Sequence, residues 1–129
     1  MIKQNELRYG NMVNYGGSLN IVLGIMSPYP SNDRFNGKVV VEINPPDSFN
    51  VTLDELSPIV LTPEILKKCE FEIYPWGWVK KSSHDFGIRL NLQTFYYAVS
   101  GNNPVRLKYL HQLQNLYYVL TGEELIYTT

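Results

Sequence analysis

The run Tyr74-Pro75-Trp76-Gly77-Trp78-Val79-Lys80-Lys81 holds the densest set of side chains able to grip a ligand. Read as one strand, residues 74, 76, 78 and 80 share a face, because side chains alternate along an extended chain. That face reads Tyr, Trp, Trp, Lys. The opposite face, Pro75, Gly77, Val79 and Lys81, is small apart from its lysine. Arg89 and the pair Tyr96-Tyr97 fall on the strands expected next. Aromatic rings set beside cations can sandwich a planar base while lysine and arginine hold its phosphate. The expected ligand-binding set is therefore Tyr74, Trp76, Trp78, Lys80, Lys81, Arg89, Tyr96 and Tyr97. The alternative is that Trp76 and Trp78 form the core face of the sheet, beneath the long helix that follows. Only one of Tyr96 and Tyr97 can point inward, so the other is expected at the surface. A second candidate is the turn-rich stretch 27–37, which carries Tyr29, Arg34 and Phe35, since loops on a rigid scaffold often carry binding residues.

Catalytic patterns are weaker. His84 sits between Ser83 and Asp85, but neighbours in sequence do not generally make a triad, whose base must reach the nucleophile while the acid orients its far nitrogen. His84 reads as part of a solvated turn, and His111 as a flank or core residue of a helix. Cys69 is the single cysteine. It reads as a small core residue, because free cysteines are usually buried. Two histidines with no cysteine or carboxylate cluster define no metal site. Gly10, Gly16 and Gly17 do not match a phosphate-loop or dinucleotide spacing. A non-enzyme without metal or cofactor is the expectation, and a small hydrolase or transferase is disfavoured.

The elements that must position these residues fit a chain of 129 residues, a length typical of one domain. It carries 11 basic and 12 acidic residues, a net charge of −1, which argues against a duplex-DNA clamp. Hydrophobic residues make up 44%, enough for a real core. No apolar run approaches the ~20 residues of a membrane span. Met1 to Asn11 lacks the apolar stretch of a signal peptide. A lone cysteine suits a reducing compartment. A cytoplasmic protein is the expectation.

Residues 1–61 read as short strands. Val13 to Tyr15 runs into Gly16-Gly17, a dipeptide suited to a hairpin turn. Leu19 to Ile25 returns, and a long connection leads to Lys38 to Ile43. Asn44 to Asp47 turns, since two prolines do not sit inside a central strand. Phe49, Val51 and Leu53 alternate. Asp54 to Ser57 reads as one helical turn and Pro58 to Leu61 as a closing strand. Five short strands with one long loop form the pattern of a small SH3-like β-barrel.

Residues 62–129 read as a second lobe packed on the first in one compact unit. Thr62 caps a short helix with Pro63 at its first position and Glu64 at its positive end, running to Cys69. A three-stranded antiparallel meander follows: Phe71 to Lys80 as its first strand, Gly87 to Leu92, and Thr94 to Val99. Asn103 and Pro104 are expected to start the main amphipathic helix, with Leu107, Leu110, Leu113, Leu116 or Tyr117, and Leu120 as its apolar stripe. Gly122 is expected to cap it, and Glu123 to Tyr127 to form a tail or short edge strand. The fold class is α+β.

The run Lys108-Tyr109-Leu110-His111-Gln112-Leu113-Gln114-Asn115-Leu116-Tyr117-Tyr118-Val119-Leu120-Thr121-Gly122-Glu123-Glu124-Leu125 resembles a family of small, largely uncharacterised proteins of Bacteroidetes and their bacteriophages. Glu6 to Val13 and Ser57 to Leu66 share the resemblance. Members often carry Cys-Gly-Phe after the short helix; here Cys69-Glu70-Phe71 departs from it, so a differently built turn is expected. The resemblance implies a phage or mobile-element setting and no particular activity. With the aromatic–cation strand it suggests a binding protein in the bacterial host, in its sharpest form a counter-defence protein that sequesters a small cyclic nucleotide. The alternative is an adaptor or inhibitor that docks on a host protein. A homodimer or higher homo-oligomer is the expected assembly, the dimer preferred because closed two-fold assemblies are the commonest.

Overall fold

In a computed structural model, residues 2–26, 39–44, 48–75, 77–80, 86–91, 94–97 and 105–128 are described. The fold is α+β. The chain divides into two units, Met1–Ile59 and Val60–Thr129. Among the described residues no helix is long and apolar enough to cross a membrane.

The first unit opens with strands β1 (Met12–Tyr15) and β2 (Ser18–Met26). Gly16 and Gly17, at φ +58° and +86°, make the turn between them. Positive φ at both central positions is what a type I′ hairpin turn requires, and glycine meets it without a Cβ clash. Strands β3 (Val40–Asn44) and β4 (Phe49–Thr52) complete a four-stranded antiparallel sheet in the order β1-β2-β3-β4.

One face of this sheet is the core. Ile2, Leu7, Val13, Val22, Val41, Ile43, Val51 and Leu56 are buried together, with Tyr15, Ile25 and Leu53 packed against them. Strand alternation alone would put Val22 and Ile25 on opposite faces. The register shifts between Val22 and Gly24, however, so both join the core side. Such a bulge also bends the strand and increases its twist.

The bend is large. The Tyr15 ring meets the Phe49 ring edge-on, with centroids 5.4 Å apart and planes at 65°. Strands β1 and β4 are the outermost of the four. In a flat sheet they would lie about 14 Å apart, with the two residues offset by roughly 13 Å more along the strands. Contact between those rings therefore requires the sheet to coil on itself.

After β4 the chain makes a single 3-10 turn, Leu53–Glu55. The Glu55 carboxylate accepts from the Thr52 backbone N–H at 3.1 Å. The chain then returns to β1, where Asn14 and Ser57 exchange backbone hydrogen bonds of 2.9 and 2.8 Å. That bridge is the whole of the return. The expected closing strand Pro58–Leu61 does not form, because Val60 bridges Tyr109 and Leu61 N–H donates to the Lys108 carbonyl instead. Among the described residues β1 and β4 do not pair, and no closed barrel is formed by strand pairing.

In the second unit, helix α1 (Pro63–Lys68) starts as its residues dictate, with the Thr62 hydroxyl accepting from the Ile65 N–H at 3.2 Å. Its end is closed by backbone hydrogen bonds. The Phe71 N–H donates to the Leu66 carbonyl and the Glu70 N–H to the Lys67 carbonyl, both at 3.0 Å. This is the double hydrogen bond of a Schellman cap. Glu70 takes the left-handed position at φ +67°, the conformation a glycine would adopt there.

Five strands follow: β5 (Glu72–Tyr74), β6 (Gly77–Lys80), β7 (Phe86–Asn91), β8 (Thr94–Tyr97) and β9 (Val105–Leu107). They form an antiparallel sheet in sequence order. Helix α2 (Leu110–Thr121) starts later than expected. Val105–Leu107 pairs with β8 rather than opening the helix. The helix start is set at Gln112, whose side-chain oxygen accepts from the Lys108 and Tyr109 N–H groups at 2.9 and 3.1 Å. Leu107, Leu110, Leu113 and Tyr117 are buried, but Leu120 is exposed, so the apolar stripe ends a turn early. Gly122, at φ +74°, caps the helix as expected. The tail is not an edge strand: Thr128 donates from both its backbone N–H and its hydroxyl to the Lys68 carbonyl, at 2.8 Å each.

Candidate functional site: a cross-strand row of tyrosine and arginine

The aromatic run 74–81 is a hairpin, not one strand. Tyr74 pairs with Gly77 and Ile73 with Trp78, so the chain reverses between 74 and 77. Gly77 sits at φ +154°, where a side chain would be strained. The reversal places Tyr74 and Trp78 on opposite faces of the sheet, which overturns the expected shared face. Trp76 and Lys81 lie outside the described residues, as do His84 and the stretch 27–37.

Trp78 belongs to the interior. It is 3% exposed, and Phe95 and Leu107, on the same face, are buried too. Lys80 shares this face and is also buried. Its ammonium donates to the Cys69 carbonyl at 3.1 Å and pairs with the Glu70 carboxylate at 3.3 Å. A buried charge must be paired, and here the end of α1 supplies both partners. The expected role of Trp78 and Lys80 on an open ligand face is thereby corrected. The tryptophan packs, and the lysine ties β6 to the cap whose left-handed residue is Glu70.

The other face assembles a different set. Tyr74 lies opposite Gly77 on the neighbouring strand. Trp78 pairs with Ile88, and one step along that register brings Gly77 level with Arg89. Arg89 pairs with Tyr96, and Tyr96 with Arg106. The row across the sheet is therefore Tyr74, Gly77, Arg89, Tyr96, Arg106. Paired positions share a face, so all five positions lie on the face opposite Trp78, a face that the buried Val79 also shares. Tyr74 is half-buried and its hydroxyl donates to the Glu72 carboxylate at 3.2 Å, while Arg106 is exposed. Tyr97, one residue on from Tyr96, falls on the core face and is half-buried.

Three of the expected residues, Tyr74, Arg89 and Tyr96, are thus brought into line, and Trp78, Lys80 and Tyr97 are not. Arg106 was missed because 104–121 reads as one helix. The alternation Val105-Arg106-Leu107 after a proline was the available strand signal. In residue types the row is two arginines on the strands either side of a tyrosine; a guanidinium can take a phosphate in bidentate fashion and an aromatic ring can stack on a base.

Other reactive groups do not join the row. Cys69 is buried, and burial pushes its thiol from 9.0 up to about 12; the Lys80 charge lowers it and the Glu70 charge raises it by lesser amounts. His111 is buried and stacks on the Tyr109 ring, centroids 5.8 Å apart. Among the described residues no three His, Cys, Asp or Glu side chains cluster to hold a metal ion.

The thiol makes stability depend on pH. Below 9.0 both the folded and the unfolded chain keep the proton, and the group contributes no slope. Above that the unfolded chain releases it first, so folding stability falls until about 12. The slope is up to about 1.4 kcal/mol per pH unit. Urea midpoints at pH 8 and 10.5 should fall further for the native chain than for Cys69→Ala, which cancels the other groups titrating in that range. Equal falls would place the thiol in contact with water.

No protein-family model matches this chain, and no curated protein or solved structure matches it either.

Proposed function

We propose that this chain is a non-catalytic binding protein that captures a small nucleotide. The observation that carries the reading is the row Arg89–Tyr96–Arg106, two arginines flanking an aromatic residue on the face opposite the buried Trp78. The resemblance of residues 108–125 to phage and Bacteroidetes proteins supports a setting in the cytoplasm of a bacterial host. In that setting, capture without chemistry makes it a counter-defence protein that sequesters a cyclic nucleotide signal. The first unit serves this reading as an SH3-like barrel. Its strand order, the coiling that joins Tyr15 to Phe49, and the return of Ser57 to Asn14 after a 3-10 turn support that assignment. A homodimer is the assembly proposed, on the general prevalence of two-fold pairs.

One observation favours an adaptor as the second reading. Tyr118, Val119 and Leu120 are consecutive and exposed at the end of α2. Exposed apolar residues gathered in one place mark protein interfaces more often than scattered ones do.

Native mass spectrometry with and without a pool of linear and cyclic nucleotides separates the two. The expected result is a retained nucleotide of unchanged mass, together with the oligomeric state. A retained but altered mass would make the protein an enzyme. Bare protein across the pool would remove the nucleotide reading and leave the adaptor, to be sought by pull-down from host lysate.

A further inference from the structure

We infer that β5 is the surface through which two copies of this chain pair, edge to edge and antiparallel, about a two-fold axis at Ile73. The inference rests on the homodimer proposed above and names its interface. β5 is an outer strand of its sheet, paired on one side with β6. Tyr74 and Gly77 close a two-residue reversal, and the pair that closes such a reversal exchanges backbone hydrogen bonds. Bonded and non-bonded pairs alternate along an antiparallel ladder. Glu72 and Tyr74 therefore turn their backbone groups towards β6, and Ile73 turns its N–H and C=O outward. Among the described residues no backbone group bonds to either.

The Ile73 side chain is equally uncovered. It pairs with Trp78 and so lies on the apolar face, yet it is 68% exposed where Trp78 is buried. Natural edge strands are commonly guarded by a lysine, a proline or a bulge. The middle of β5 carries an isoleucine instead. A second β5 would set another isoleucine beside it on that face and extend the apolar row by one strand.

The edge accepts one register. An antiparallel neighbour bonds to every second residue, here 71, 73 and 75. The Phe71 N–H is already given to the Leu66 carbonyl at 3.0 Å, and Pro75 has no N–H. Ile73 is left as the one outward donor of the three. Two copies can each donate to the other only when Ile73 faces the partner's Ile73, which forms two backbone hydrogen bonds related by the axis. Glu72 then stands opposite the partner's Tyr74, so no like charges are set in direct opposition. The arrangement is self-complementary, as a two-fold interface must be, and it closes, because each copy uses up the edge of the other. Three residues a side form the ladder, so the pairing depends on concentration rather than being permanent.

Sedimentation velocity of the full chain across a concentration series tests this. The native chain is expected to pass from monomer to dimer as concentration rises. Ile73→Lys sets two ammonium groups on the axis, and Ile73→Pro removes the outward donor without touching the β5–β6 ladder. Each should weaken dimerisation by about tenfold or more. Circular dichroism checks that both fold; should the proline variant unfold, the lysine variant at this exposed position carries the test. Ile73→Cys supplies a second measurement. Bonded antiparallel pairs have Cα atoms about 5.5 Å apart, within disulfide reach, so mild oxidation should link two copies through position 73. Cys69 is buried and does not compete. Val119→Cys, on the exposed end of α2, should not link. A chain that stays monomeric at every concentration would overturn both the interface and the homodimer, and leave the edge to an extended segment of another protein. A dimer unweakened in folded Ile73→Lys, or one that links through position 119 and not 73, would overturn the interface alone. Neither result bears on nucleotide capture.

Discussion

Trp78→Ala is expected to destabilise the second unit by about 3–5 kcal/mol. The indole is 3% exposed, on the face where Phe95 and Leu107 are also buried. Truncation removes the transfer energy of a large ring and leaves a cavity that a sheet cannot collapse to fill. Domains of this size are stable by only about 5–15 kcal/mol, so roughly a fifth or more of that reserve disappears. Urea unfolding followed by far-ultraviolet circular dichroism measures it. A cost below about 1 kcal/mol, with nucleotide binding lost, would return Trp78 to an accessible face and restore the single-strand arrangement of 74–80.

Ile43→Ala should cost the first unit about 2–5 kcal/mol, towards the upper end of that range. Ile43 is fully buried and lies between Val22 and Phe49 in cross-strand register. Because the sheet coils until Tyr15 meets Phe49, the cavity would be enclosed rather than open on one side. Ile43→Val removes one methylene and should cost about 0.5–1.5 kcal/mol. Protection of the β2 and β3 amides from hydrogen exchange would report the loss locally. A cost for Ile43→Ala no larger than that for Ile43→Val would mean the sheet is flat and its face relaxes freely.

The burial of Ile43 follows from its β-branched strand, whereas that of Trp78 had a competing explanation. A tryptophan beside a lysine in an alternating run serves equally well as binding surface or as core. What decides is whether the run continues as one strand. Pro75 and Gly77 flank Trp76, and both residue types mark turns. Alternation across the turn imitated a single face, but a two-residue reversal sets Tyr74 beside Gly77 and so puts Tyr74 and Trp78 on opposite faces. The same difficulty hid Arg106. Pro104 suits the first turn of a helix and equally forces an extended residue before it. The leucine spacing then extended the helix backwards through Leu107, which is buried in the sheet instead.

Elements closed by neighbours in sequence were readable directly. Thr62 and Pro63 start α1, Gly16-Gly17 turns β1 into β2, and Gly122 stops α2, because each acts on groups within four residues of itself. The α+β class and the four strands of the first unit follow from such local signals and from alternation. The row Tyr74–Gly77–Arg89–Tyr96–Arg106 could not be read this way. Its members span 33 positions, 106 − 74 + 1, and their alignment depends on four strand registers set jointly by pairing and burial. A slip of one residue in any of these registers would put part of the row on the other face. The residue types and the local turns were written in the chain; which of them stand side by side was decided by the packing of the whole sheet.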